Sequence, residues 1–232
     1  MRIVVFGANG PTGRQVTAQA LAEGHTVTAV TRRPGDFPLA DGRLRVHGAD
    51  VFDPVAVDHA VAGQDAVIST LGVPYGRRPV TVYSEGVTHI TRAMTEHGVR
   101  RLVCVSSTVL FGVPAPGETF FFRKVLEPSI ARTVGRTVYE DMRRMEGIVR
   151  EGDHRWTVVR PAGLFDGDTV SDYRVATSRL PGRFTSRADL GDALLREAVD
   201  DRHVRAFVDV RTSTGVPGIL DVIRKEAFGG RA

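Results

Sequence analysis

The chain has 232 residues, 42% hydrophobic and 25% charged, a composition of soluble globular proteins that excludes a disordered or membrane-embedded polypeptide. Its net charge of +4 comes from 31 basic against 27 acidic residues. The arginines are scattered, without a long basic run or interleaved aromatics, so a nucleic-acid interface is not expected and an anionic small molecule accounts better for some of them.

Short β-branched runs alternate with longer amphipathic ones, the pattern of βαβ units around a parallel sheet. In chain order, strands are predicted over residues 2–6, 26–30, 44–47, 66–69, 102–106 and 156–159. Helices are predicted between them, over 12–23, 54–62, 81–97 and 138–151, and each stops at a glycine: Gly24, Gly63, Gly98 and Gly152. From Pro161 onward the rhythm breaks into a loop-rich stretch, a helix over 187–199, a strand over 205–210 and a last helix over 217–227. The pattern predicts an α/β fold of Rossmann type, a doubly wound parallel sheet with helices on both faces and a ligand crevice at the carboxyl ends of the strands. One domain, residues 1–232, is expected, with a small C-terminal substrate-side elaboration over 161–232.

No stretch approaches the roughly 20 apolar residues of a membrane span. Arg2 leads at once into the first strand, so no secretory signal is expected. The lone cysteine, Cys104, lies in a strand-like apolar run, which reads as core and fits a reduced, cytoplasmic setting.

The first strand runs into Gly7-Ala8-Asn9-Gly10-Pro11-Thr12-Gly13, and a helix follows. A strand, a glycine turn and a helix start together aim backbone N–H groups and a helix dipole at an anion, the requirement of a pyrophosphate cradle. Gly7 would permit the tight turn, Gly10 close approach to phosphate, and Gly13 close packing of helix on strand. At the end of the second strand, where an NAD-preferring protein offers a carboxylate to the adenosine ribose, the chain reads Thr31-Arg32-Arg33-Pro34. Two guanidiniums there favour the 2′-phosphate of NADP(H) over NAD(H), with Arg33, beside Pro34, the one more readily explained as a solvated side chain. Asp50 and Val51 after the third strand, and Leu71 and Gly72 after the fourth, are nominated by position as cofactor-binding residues. For Asp50, a helix-cap or turn role is an equal alternative.

These motifs, with Val61-Ala62-Gly63-Gln64-Asp65-Ala66-Val67-Ile68, Ser84-Glu85-Gly86, Ser106-Ser107, Arg160-Pro161 and Ser186-Arg187-Ala188-Asp189-Leu190, resemble the atypical short-chain dehydrogenase/reductases described as NAD(P)H-binding and NmrA-like, and within them the biliverdin-IXβ reductase/flavin reductase type. The likeness covers nearly the whole chain. It implies that Asp50 and Val51 lie near the adenine, Leu71 and Gly72 near the nicotinamide ribose, and Ser107 near the nicotinamide, with Ser106 the alternate. The short-chain family's Tyr-x-x-x-Lys pair is missing; the nearest match is Tyr139 with Arg143, which leaves Tyr139 as either a catalytic acid or a half-buried helix residue. The flavin reductase type also lacks that pair, and reduction of a flavin or quinone asks little acid of the protein.

Pro161 fixes the chain's exit beside the cofactor and opens a loop that walls the substrate side. The segment from Phe111 to Lys124, with Phe120-Phe121-Phe122, reads as an apolar flap, a helix start docked in the core or a dimer contact. The histidines show no metal-ligand spacing, so no metal is expected. The resulting expectation is an NADPH-dependent reductase of a flavin, quinone or similar planar acceptor, with flavin as substrate rather than bound cofactor. The alternatives are an NmrA-like NADP(H) sensor without turnover and a nucleotide-sugar epimerase or dehydratase. Either a monomer or a dimer is compatible with the sequence.

Overall fold

The computed structural model describes residues 1–76, 78–112, 116, 135–167 and 169–216. Ten strands and five α-helices of eight or more residues are found among them, in the order β1 (Arg2–Phe6), α1 (Pro11–Ala22), β2 (Thr26–Thr31), β3 (Leu44–Gly48), α2 (Pro54–Val61), β4 (Ala66–Ser69), α3 (Val82–Glu96), β5 (Arg101–Val105), α4 (Arg136–Glu151), β6 (Arg155–Pro161), β7 (Gly163–Phe165), β8 (Tyr173–Ala176), β9 (Phe184–Ser186), α5 (Arg187–Asp200) and β10 (Ala206–Thr212). Short 3-10 helices occupy Pro34–Asp36 and Thr108–Phe111.

The main sheet has the strand order β3-β2-β1-β4-β5-β6-β10-β8. All its pairings are parallel except that of β10 with β8. The order reverses at β1, flanked by β2 and β4, and the crevice of a doubly wound sheet lies at such a switch point, outside the carboxyl ends of the strands.

Strand alternation divides the apolar side chains between two layers. Val4, Phe6, Val67, Leu102, Cys104, Trp156 and Val158 pack toward α2, α3 and α4. Ile3, Val5, Ile68, Val103, Val159, Val208 and Val210 pack toward α1 and α5. Most of these are fully buried, and each large aliphatic so placed contributes about 1.5–3 kcal/mol relative to exposure.

The helix starts explain their own positions. Pro11 opens α1, where its missing N–H costs nothing. The Asp53 carboxylate caps α2, accepting from the Val55 and Ala56 amides at 3.0 and 3.2 Å. At α5, Ser186 Oγ accepts from the Asp189 amide at 3.0 Å. Asp189 in turn accepts from Ser171 N at 2.7 Å and from the Thr212 hydroxyl, so the Ser186–Leu190 phrase fastens a helix start to β10 and to the loop before β8. The helix α3 has no cap of its own. The buried Asp141 of α4 supplies one, accepting from the Tyr83 amide at 2.8 Å, the Ser84 amide at 3.3 Å and the Ser84 hydroxyl.

Beyond β6 the expected loop-rich stretch contains three further strands, of which β7 and β9 form a small parallel sheet and β8 edges the main one. Strands of three or four residues are too short to show a period. The glycine after α4, Gly152, caps in extended conformation at φ −76°, unlike Gly24, Gly63 and Gly98 with positive φ. The expected helix over 217–227 and most of the expected flap, including Phe120, Phe121 and Phe122, lie outside the described residues. Among the described residues no helix is long and apolar enough to cross a membrane.

Candidate cofactor site

The glycine loop joins β1 to α1 and is clamped from both sides. The Ala8 amide donates to the Val30 carbonyl of β2 at 3.2 Å, and the Thr70 amide and hydroxyl, just after β4, both donate to the Phe6 carbonyl at 2.9 Å. Gly7 has φ +75°, and a Cβ there would stand 2.7 Å from the Thr70 carbonyl oxygen. At Gly13 a Cβ would run into the Gly7 carbonyl and lie 2.7 Å from the Ala8 Cα, so this glycine lets the helix sit directly on the turn. Gly10 precedes the helix without a capping side chain, and the first turn of α1 holds no acid. The amides of Thr12 and Gly13 are thus left to an anion at the positive end of the helix dipole. This is a cradle that fits the pyrophosphate of a dinucleotide.

Asn9 faces the same corner, its Oδ1 accepting from Arg14 Nε at 3.1 Å and from Arg14 Nη2 at 2.8 Å. Arg32 and Arg33 follow β2, and both are exposed. Arg33 lies 3.6 Å from Asp36 and donates its amide to Thr31 Oγ1 at 3.2 Å. Arg32 has no carboxylate partner among the described residues.

Asp50 makes a turn, accepting from the Phe52 amide at 3.1 Å through its side chain and from the Asp53 amide at 3.0 Å through its carbonyl. Val51 is buried, with its carbonyl 2.8 Å from His89 Nδ1. Val51 and Leu71 meet at Gly86 of α3, where a Cβ would stand 2.8 Å from a methyl of each. The Ser84-Glu85-Gly86 phrase therefore carries a helix start capped by Asp141 and a close approach of that helix to two strand ends. Gly72 follows Leu71 with open space around it.

The serines after β5 differ sharply. Ser106 is buried and donates to Glu146 Oε1 at 2.7 Å. Glu146 also receives Arg160 through Nε at 2.9 Å and Nη2 at 2.6 Å. Ser107 is half-buried and begins the short Thr108–Phe111 helix, its Oγ accepting from the Val109 amide at 3.3 Å. That bond leaves the Ser107 hydroxyl proton for another acceptor. Pro161 ends β6, paired with Val210 of β10, and the next amide, Ala162, donates to Thr185 Oγ1 at 3.1 Å.

Tyr139 is 7% exposed, and its hydroxyl lies 2.9 Å from that of Tyr75. Tyr75 belongs to the loop after β4, which Thr137 Oγ1 also holds through the Gly76 carbonyl at 3.2 Å. Arg143, the counterpart of a lysine partner, is exposed. Nearby Tyr83 is buried, which pushes its phenol up to about 12, so it stays protonated. Burial likewise pushes the Cys104 thiol up to about 12, which makes it an inert core group.

Sequence reasoning missed Arg14, Tyr75, Glu146 and Asp141. All four act through contacts between distant elements or across a helix start; a five-residue spacing from Asn9 to Arg14 has no periodic signature. Among the described residues no cluster of three or more His, Cys, Asp or Glu is arranged to hold a metal.

Comparison with known proteins places this geometry. A family model described as NAD(P)H-binding matches residues 7–202. A dTDP-4-dehydrorhamnose reductase of Mycobacterium tuberculosis is 30% identical over 231 residues, covering 93% of this chain and 71% of that protein. An uncharacterized protein of the same species is 35% identical over 108 residues, 46% of this chain. The match spans only 12% of that relative's length. In fold, the chain is similar to a short-chain dehydrogenase/reductase from Veillonella parvula solved in complex with NADP, with a TM-score of 0.76 at 19% identity over 92% of this chain and 95% of that one.

Proposed function

Because the chain belongs to the NAD(P)H-binding family, we propose that it is an NADPH-dependent reductase, the bound cofactor supplying hydride from its nicotinamide C4 to a flavin, quinone or similar conjugated acceptor. The observation that carries the cofactor choice is Arg32, an exposed cation without a carboxylate partner among the described residues, at the end of β2, where an NAD-preferring site presents an acid. The reductase relative supports the reductase part of this reading.

In this reading the glycine loop and the first amides of α1 hold the pyrophosphate, and Val51, Leu71 and Gly72 wall the crevice at the strand ends. Ser107 orients the acceptor with its free hydroxyl proton. Positioning supplies most of the catalysis, because a conjugated acceptor takes its proton from water. The partner is a small planar molecule, and no nucleic acid is involved.

A second reading, an NADP(H) sensor without turnover, draws on Tyr139, whose hydroxyl is engaged by Tyr75 while its Arg143 neighbour is exposed. Stopped-flow oxidation of NADPH with FMN, FAD and simple quinones separates the two. Acceptor-dependent rates above background are expected. Tight cofactor binding with no acceptor reduced across the panel would give the sensor reading the lead.

A further inference from the structure

We propose that Tyr75, on the loop that follows β4, is the platform on which a fused-ring acceptor of flavin type stacks, and that it sets the preference for such an acceptor over a one-ring quinone. The proposal rests on the reductase reading above and names a residue that selects among its acceptors.

Tyr75 is turned the wrong way round for a surface tyrosine. An exposed tyrosine ordinarily lays its ring on apolar neighbours and leaves its hydroxyl in water. Here the residue is 55% exposed while its hydroxyl points inward, 2.9 Å from that of Tyr139, which is only 7% exposed. The two rings are tilted by 50° with their centres 6.0 Å apart, so the face of Tyr75 is not stacked on its neighbour. A planar apolar surface whose polar atom is already engaged within the protein is completed by a stacking ligand. The loop is also fastened around the ring. The Val73 amide donates to the Tyr83 hydroxyl at 3.4 Å, and the Gly76 and Val80 carbonyls accept from Thr137 Oγ1 at 3.2 Å and Arg144 Nη2 at 2.9 Å. Pro74 and Pro79 stiffen the chain on either side. A surface fixed before its ligand arrives spares the cost of ordering it on binding.

The ring stands at the carboxyl ends of the strands. Thr137 and Tyr139 belong to the first turn of α4, and a helix that returns the chain between parallel strands begins at those ends. The loop itself leaves β4 through Leu71 and Gly72. Leu71, Val73 and Val80 from this loop, and Val109 and Leu110 from the turn after Ser107, are half-buried side chains on the edge of one core. They form an apolar rim at the strand ends where Ser107 offers its hydroxyl proton. A three-ring isoalloxazine spans both the phenol and this rim, whereas a one-ring quinone covers one or the other, and the gain scales with the apolar area removed from water.

The test titrates FMN into the protein loaded with NADP⁺, where no hydride is transferred, and reads flavin fluorescence, which a stacked phenol quenches. Steady-state kinetics with NADPH then give KM for FMN and for a one-ring benzoquinone, in the wild type, Tyr75→Leu and Tyr75→Phe. Tyr75→Leu should remove most of the quench and raise KM for FMN about tenfold or more, the loss of a stacked aromatic, with KM for benzoquinone raised less than about threefold and NADPH affinity held within about twofold. Tyr75→Phe keeps the ring without the electron-rich phenol, so it should hold KM for FMN within about threefold while losing the quench. FMN turnover in the wild type, with quench and KM unchanged in Tyr75→Leu, overturns the platform and leaves the reductase reading standing. An equal rise of both KM values assigns Tyr75 to holding the loop and overturns the platform as well. A wild type that reduces neither flavins nor quinones overturns the reductase reading, and the platform with it.

Discussion

Arg160 of β6 and Glu146 of α4 form a buried, two-pronged ion pair, with Nε–Oε1 at 2.9 Å and Nη2–Oε2 at 2.6 Å. The guanidinium carbon lies 4.5 Å from the ring centre of Phe111 and 4.2 Å from that of Phe207, and Ser106 donates to the same carboxylate. The pair therefore ties the strand end that carries Pro161 to the helix that carries Tyr139 and to the serines after β5.

Removing one partner of such a pair strands the other charge. Glu146→Ala should cost about 3–5 kcal/mol, against a smaller loss for a well-packed apolar replacement of both residues. For a chain of this size, where 1 kcal/mol moves the midpoint by roughly 2–4 °C, the melting temperature should fall on the order of 10 °C. Thermal melts of Glu146→Ala, Arg160→Met and the double variant Glu146→Leu/Arg160→Met check this. A double variant no more stable than Glu146→Ala would refute the stranded-charge account.

This pair also shows where sequence reading stops. The fold was legible because its signals are local: β-branched runs, amphipathic periods and glycine stops place β1 to β6 and α1 to α4 to within two residues. The glycine loop was legible for the same reason, since turn, approach and packing are all written in seven consecutive residues. Ser106 and Ser107 look alike in sequence, and only the arrival of Glu146 from forty residues away turns one inward and leaves the other at the crevice. Arg32 and Arg33 are told apart in the sequence only by Pro34 beside the second, and the short turn over Pro34–Asp36 adds the partner that no local pattern announces, Asp36, 3.6 Å from Arg33. The three short strands beyond β6 depend on pairings with β10 and with each other, which no local period announces.

Asp141 caps a helix to which it does not belong, and its loss should be felt at the cofactor. Asp141→Ala removes the acceptor of two α3 amides and the Ser84 hydroxyl and leaves Arg144 without its partner at 3.1 Å. A cost of about 2–4 kcal/mol is expected from the lost cap and charged hydrogen bonds. Because Gly86 of the same helix rests on Val51 and Leu71, dinucleotide affinity should drop as well. Hydrogen exchange should quicken selectively in the first turn of α3; unchanged exchange there would show that the cap is not needed.

Two histidines set an acid limit on stability. Burial lowers the pKa of His25, aided by the N-terminal ammonium, and burial lowers that of His154, aided by Arg100, each from the ordinary imidazole value of 6.5. A lowered histidine binds fewer protons folded than unfolded. Its contribution is complete above the unfolded value and is lost as pH falls from there through the folded value. The melting temperature should therefore decline as pH is lowered from about 7.5 to about 5.5, well above the carboxylate range. Combining His25→Gln with His154→Gln should flatten that decline, and an equally steep slope in the double variant would assign it to other groups.

Tyr139 is the residue on which the choice of chemistry turns. As a general acid its loss would cost about 10²–10⁴ in rate. Its hydroxyl is instead 2.9 Å from that of Tyr75, the residue is 7% exposed, and no lysine stands one turn along to lower its pKa. With an acceptor that needs no protein acid, Tyr139→Phe should keep kcat within about tenfold of wild type and leave its pH profile unshifted, because orientation rather than proton donation limits the rate. Ser107→Ala should act differently, raising KM for the acceptor while NADPH affinity holds, since it removes a hydrogen bond to the acceptor and none to the phosphates. Steady-state kinetics over pH with the best flavin or quinone acceptor decide this. A loss of a hundredfold or more in kcat for Tyr139→Phe, with a shifted alkaline limb, would place the tyrosine in proton transfer and move the substrate class toward carbonyl compounds.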